Sequence, residues 1–170
     1  MSNFLAKNIS IVVSSSDGYD DCWDPFFTLL KNYFPGIDQI EILLSTQTKD
    51  YSNPFSKLKV VKHGPKAAWS QRLMQTLDQA SNEIILFLDE DSFIRKPANV
   101  NLLKDLVELM VANNEIDHIR LTKGDWETTP ANEFELIEKL TPGSKKRFMM
   151  HAGIWRKDVL KKHLAVPFLP

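Results

Sequence analysis

Short β-branched and leucine-rich runs alternate with stripes of helical period along most of the chain. Residues 9–13 (Ile-Ser-Ile-Val-Val) form an apolar run closed by Ser14-Ser15-Ser16-Asp17-Gly18, as a buried strand feeding a polar loop would be. Trp23, Phe26, Phe27, Leu30, Tyr33 and Phe34 follow at three- and four-residue spacing, with Pro25 near the start and Pro35-Gly36 at the end. That spacing predicts an amphipathic helix with both ends marked. Residues 40–44 predict a second strand, ending in Ser45-Thr46-Gln47, and 58–61 a weaker third, ending at His63-Gly64-Pro65. Ala68, Trp69, Leu73, Leu77 and Ala80 trace the next helical stripe. The most hydrophobic strand candidate, 84–88, then runs directly into Asp89-Glu90-Asp91. A helix over 100–112 with Leu103, Leu106, Val107, Met110 and Val111 inward and a strand over 116–121 complete the regular part. Residues 123–146 are polar and broken by Gly124, Pro130, Pro142 and Gly143.

Strands alternating with helices predict an α/β fold: an open, mainly parallel, Rossmann-like sheet with helices on both faces. With 170 residues, 43% apolar and 25% charged, the chain suits one domain spanning 1–170 and excludes disorder. Twenty-one basic residues balance 22 acidic ones, so no cationic field favours nucleic acid as a partner. Cys22 is the only cysteine, which rules out an intramolecular disulfide and points to a reducing, cytoplasmic setting. No signal peptide is expected, nor a transmembrane segment, because no apolar run approaches the roughly 20 residues a bilayer requires.

In open parallel sheets ligands sit outside the carboxyl ends of the strands. The residues expected there are 14–17 with Tyr19, 45–47, 64–69 and 89–91. Asp89 and Asp91, two apart in an extended chain, point the same way and repel, and a divalent cation would relieve them. Mg²⁺ or Mn²⁺ suits such a pair, since each accepts one or two carboxylates and completes its shell with diphosphate oxygens and water. In isolation the same triplet reads as a solvated acidic turn. Arg72 lies one helical turn beyond Trp69, where its planar fork would reach a phosphate or simply face solvent. Trp69 reads equally as a core aromatic. Ser14, Ser15 and Asp17 would bind a base or ribose, or cap the helix that follows. His151, within Met-Met-His-Ala-Gly-Ile-Trp, is either structural or a further ligand to the suspected metal. His63, His118 and His163 read as surface or packing residues. Lys145-Lys146-Arg147 reads as a solvated basic patch or a contact for a diphosphate or anionic acceptor.

In their order, SSSDGYDDCW after strand one, AAWSQRL behind a Gly-Pro turn, IILFLDED with Phe93 beyond it, and the late HAGIWRKDVL resemble the nucleotide-binding half of GT-A glycosyltransferases. The likeness spans about residues 9–160 and is nearest to small transferases of bacterial and large-virus surface-polysaccharide systems. It implies that Asp17 and Tyr19 border a nucleobase pocket and that Trp69 and Arg72 flank the nucleotide. It implies further that Asp89 contacts ribose or metal, that Asp91 binds metal, and that His151 touches metal or phosphate. The implied activity is transfer of a sugar from a nucleoside diphosphate donor, a UDP-sugar foremost, to a hydroxyl of a glycan acceptor. Inversion at the sugar would need a carboxylate base. Asp125 is the first candidate and Glu127 the second. Relatives of this kind continue for some tens of residues, so the acceptor side is expected to be short here. That shortness motivates a second expectation, a non-catalytic nucleotide-sugar or carbohydrate-binding module of a larger enzyme. A nucleotidylyltransferase would carry a glycine-rich, arginine-containing loop after strand one, where this chain has serines. An aspartyl phosphohydrolase would place its D-x-D after the first strand.

Overall fold

The computed structural model describes residues 2–52, 55–122, 128–131, 137–141, 143 and 149–166. Helix α1 (Ser2–Asn8) leads into β1 (Ile9–Ser14), and a 3-10 segment (Asp17–Cys22) leads into α2 (Trp23–Tyr33). Then come β2 (Glu41–Thr46), β3 (Leu58–Lys62), α3 (Trp69–Gln79), β4 (Ile84–Asp89), α4 (Val100–Ala112) and β5 (His118–Arg120). A two-stranded ribbon of β6 (Thr128–Pro130) and β7 (Glu138–Leu140) precedes β8 (Gly153–Arg156) and α5 (Lys157–Ala165).

The main sheet has six strands in the order β3-β2-β1-β4-β8-β5. β1 pairs in parallel with β2 and β4, and β2 with β3, whereas β8 runs antiparallel between β4 and β5. The expected mainly parallel sheet is therefore present, with one reversed strand. Alternation along each central strand builds two cores, because successive side chains point to opposite faces. Ile11, Val13, Ile42, Leu44, Leu86 and Ile154 face a layer holding α1, α2 and α4, with Leu5, Phe26, Phe27, Leu30, Leu106 and Met110 among its buried side chains. Val12, Leu43, Ile85, Phe87 and Trp155 face α3 and α5, packed by Leu73, Leu77, Leu160 and Leu164.

Three local results differ from expectation. Val111, expected inward on α4, is 51% exposed, since the buried stripe turns with Leu106, Val107 and Met110 and leaves it on the outer face. The strand expected over 116–121 is confined to His118–Arg120. β8 and α5 form where only a short hydrophobic stretch is visible in sequence. Arg156, at the end of β8, donates from Nε to Ile116 O (3.0 Å) and from Nη2 to Asn113 O (2.8 Å) and Met110 O. These bonds satisfy carbonyls at the C-terminal end of α4 and lock the reversed strand to that helix. Among the described residues, no helix is long and apolar enough to cross a membrane.

Candidate functional site

β1 and β4 are adjacent and in register, with Ser14 opposite Asp89, so the loops after both strands emerge side by side. A cleft of about 500 Å³ opens there. Ser14, Ser15, Ser16 and Tyr19 line it from β1, Trp69 and Arg72 from α3, Asp89 to Ser92 from β4, and Met150 and His151 from the segment before β8. Seven of the expected site residues thus share one cavity: Ser15, Tyr19, Trp69, Arg72, Asp89, Asp91 and His151.

The walls are fixed by tryptophans whose indoles need an acceptor when buried. Trp69 Nε1 donates to Ser14 Oγ (3.0 Å), and Trp23 Nε1 donates to Ser15 Oγ (2.7 Å). The serine run therefore sets the cleft floor through its hydroxyls, a role invisible in sequence because Ser14 and Trp69 lie 55 positions apart. Helix α3 starts at the cleft because Gly64, at φ +83°, turns the chain after β3, and because Gln71 Oε1 accepts the Ala68 N–H (3.2 Å). Among the described residues Arg72 is held by one arm, Nη1 donating to Ala67 O (2.9 Å). Its Nε is buried and has no hydrogen-bond partner among the described residues, and the residue lines the cleft, where its guanidinium would meet an anion.

The acidic triplet lines the same cleft. Burial, with the Asp91 charge added, pushes the Asp89 carboxyl up to about 6. Glu90 is buried, and burial together with the Asp91 and Asp89 charges raises it to about 6, against opposing hydrogen bonds from its own amide and from Ser15. Two carboxyls that resist ionising beside the Asp91 charge offer hard oxygen donors in need of positive charge, which fits Mg²⁺ or Mn²⁺. Among the described residues no group of three or more His, Cys, Asp or Glu side chains is gathered to hold a metal unaided. Mg²⁺ and Mn²⁺ sites commonly use one or two carboxylates and leave the remaining positions to substrate phosphates and water.

Asp17, expected beside the nucleobase, does not line the cleft. Both its oxygens accept hydrogen bonds from the loop after β2. Asp125 and Glu127, the candidate bases, lie outside the described residues, as do Lys145, Lys146 and Arg147. His63 is a packing residue, with Nδ1 2.8 Å from Gln75 Oε1 and Nε2 2.9 Å from Thr76 Oγ1 on α3.

No family model and no curated protein sequence matches the chain. Solved structures do. A mannosyltransferase, PcManGT from Pyrobaculum calidifontis in complex with GDP-Man and Mn²⁺, aligns over 92% of this chain with a TM-score of 0.61 at 13% identity. Residues 1–349 of TarS from S. aureus align over 92% with a TM-score of 0.59 at 18% identity, and TarS has also been solved with UDP. The fold is of the GT-A type. A similar arrangement is also seen, more distantly, in a 2-C-methyl-D-erythritol 4-phosphate cytidylyltransferase from Thermus thermophilus, with a TM-score of 0.50 over 91% of this chain at 12% identity. The chain spans about half the length of the two GT-A transferases, 46% of the mannosyltransferase and 49% of the TarS fragment.

Proposed function

We propose that the chain is a glycosyltransferase domain that binds a nucleoside diphosphate sugar with Mn²⁺ or Mg²⁺ and transfers the sugar to a hydroxyl of a glycan acceptor, in glycan or polysaccharide synthesis. One observation carries this reading: the half-buried guanidinium of Arg72 and three adjacent carboxyls line one cleft at the carboxyl ends of β1 and β4. An anion bound to a cation, as in a metal diphosphate, answers both walls at once. Two of the better structural matches are transferases, one solved with GDP-Man and Mn²⁺ and the other with UDP, which supports a nucleotide-sugar donor. A UDP-sugar is the first donor to test.

Asp91 and Asp89 would hold the cation, with His151 lining the same cleft. Bound there, the cation would supply positive charge against the departing diphosphate. Arg72 would meet the same charge from the α3 side with its guanidinium, in a partly desolvated site where such contacts are strong. Trp69, fixed by Ser14, lines the same cleft, and Ser15 and Tyr19 would bound the nucleoside end. The acceptor proton passes to a carboxylate, and Asp125, in the segment following β5, is our candidate. A single thiol, Cys22, suits a reducing cytoplasm.

The test is release of nucleoside diphosphate from a panel of nucleotide-sugars in Mn²⁺. We expect turnover that falls by about 100-fold or more in Asp91→Ala, the scale of losing one charge-stabilising group. Turnover unchanged in Asp91→Ala, or independent of metal, would overturn the reading. Metal-dependent binding without turnover would mark a binding module instead. Diphosphate release from CTP and a sugar phosphate would mark a nucleotidylyltransferase, the activity of the more distant structural matches.

A further inference from the structure

The acidic run after β1 lies close to the β2–β3 connection, and Asp17, Asp20 and Asp24 each have a partner on it. The Asp17 carboxylate accepts from the amides of Gln47 (2.9 Å), Thr48 (2.9 Å) and Lys49 (3.2 Å) and from the Thr48 hydroxyl. Its own amide donates back to Gln47 Oε1 (3.3 Å). Asp20 pairs with Lys49, and Asp24 Oδ1 accepts from the Tyr51 hydroxyl (3.0 Å). Tyr51 in turn stacks on Phe27 with ring centroids 5.1 Å apart and meets Trp23 edge-on at 5.8 Å. From Gln47 the connections continue to the β3–α3 turn: Gly64 N donates to Gln47 O (2.8 Å), and Gln47 Nε2 donates to Pro65 O (3.3 Å). That turn leads into α3, whose Trp69 returns to Ser14 on β1. Hydrogen bonds and short chain segments thus form a closed ring through the ends of β1, β2 and β3, and Asp17 is the member with the most bonds.

We propose that Asp17 is a positioning residue, which holds the nucleoside end of the cleft in shape through the 47–49 loop and does not itself contact the nucleobase. The proposal rests on the nucleotide-binding reading above. Geometry carries it: a carboxylate receiving three amides and a hydroxyl has little capacity left for a ligand, and Asp17 is absent from the cleft lining. Its titration agrees. Partial desolvation raises the Asp17 carboxyl, but hydrogen bonds from the Thr48 hydroxyl and the loop amides outweigh it and hold the group below the usual carboxylate range.

A base contact and a positioning role separate in the pattern across nucleotides. A direct contact reads one base, so its loss changes the ranking of UDP, GDP and CDP. Loss of a positioning residue loosens the site for all three alike. The measurement is calorimetric affinity of full-length Asp17→Asn and Thr48→Val, and of the double variant, for UDP, GDP and CDP in Mn²⁺, with melting temperature alongside. Thr48→Val removes one bond to Asp17 and serves if Asp17→Asn fails to fold. We expect Asp17→Asn to weaken all three nucleotides by the same factor, roughly 10- to 100-fold, the cost of loosening a group that orients a site. Thr48→Val should act in the same direction and less strongly, with the double variant less than additive. A changed ranking among the nucleotides would overturn the proposal. So would unchanged affinity with only a lowered melting temperature, or additive effects in the double variant. If the wild-type protein bound none of the three, the nucleotide-binding reading would fall first and the positioning role with it.

Discussion

His118 shows how one side chain can carry a measurable pH dependence. Its ring stacks on Trp155 at 3.6 Å with the planes 12° apart. Burial, reinforced by the charges of Arg120 and His163, lowers its pKa to about 3. The folded protein keeps it neutral, whereas the unfolded chain binds a proton below about 6.5. Stability is therefore at its fullest above pH 6.5 and drains away as the pH falls toward 3. At pH 5 the loss amounts to about 2 kcal/mol, one and a half units of proton affinity at 1.4 kcal/mol each. Urea unfolding at pH 7.5 and pH 5 should show that increment as the difference between the pH responses of the wild type and His118→Gln. Equal pH slopes in the two proteins would show that His118 is not the source. Asp89 and Glu90 act in the opposite sense, since their raised carboxyls cost stability as the pH climbs from about 4, where the unfolded chain ionises them, to about 6, above which the cost is complete. The comparison between variants, which leaves both acids in place, isolates the histidine.

Elements were legible in the sequence where their burial is one-sided or complete, and illegible where it is shared. Residues 84–88 read as a strand because both faces of β4 are buried, and α4 shows its four-residue stripe clearly. β8 is four residues long and begins at Gly153, so it has neither the length nor the period to announce itself. Its glycine is nonetheless required. A Cβ there would meet His118 Nε2 at 2.7 Å and Ile119 O at 3.2 Å, one a stacked ring and the other backbone. Gly153→Ala should cost about 1–3 kcal/mol as overpacking between β5 and β8, seen as a lowered denaturation midpoint. Helix α3 offers the reverse. Its N-cap is Ala68, in extended conformation and with no side-chain oxygen for the first turn. Ala68→Ser should add about 0.5–2 kcal/mol and raise the melting temperature. The site divides the same way. The triplet at the end of β4 and the Trp69–Arg72 pair lie within continuous motifs and could be read directly. The Asp17 ring joins residues about 30 to 55 positions apart, through loops with no period of their own, and only the folded chain brings them together.

At the scale of the whole molecule, the two walls of the cleft belong to different parts of the sheet. The carboxyls hang from β4 at its centre, and Arg72 from α3, which packs on the opposite face from α2 and α4. A cation alone relieves the carboxyls but adds to the positive charge of Arg72, and a diphosphate alone balances Arg72 but faces three acids. Each ligand therefore improves the site for the other, and that coupling must be reciprocal. Mn²⁺ and UDP together should raise the melting temperature by more than the sum of their separate shifts, since saturation at 100 times Kd contributes about 2.7 kcal/mol for a ligand bound only by the fold. Chelation by EDTA should return the UDP shift to its metal-free value, and Asp91→Ala should abolish the excess while leaving the unliganded protein folded. The excess should also shrink as the pH falls below about 6, where the metal must displace protons from Asp89 and Glu90. Strictly additive shifts at pH 7.5 would mean that the two walls do not share one ligand, and the metal-diphosphate reading of the cleft would fail with them.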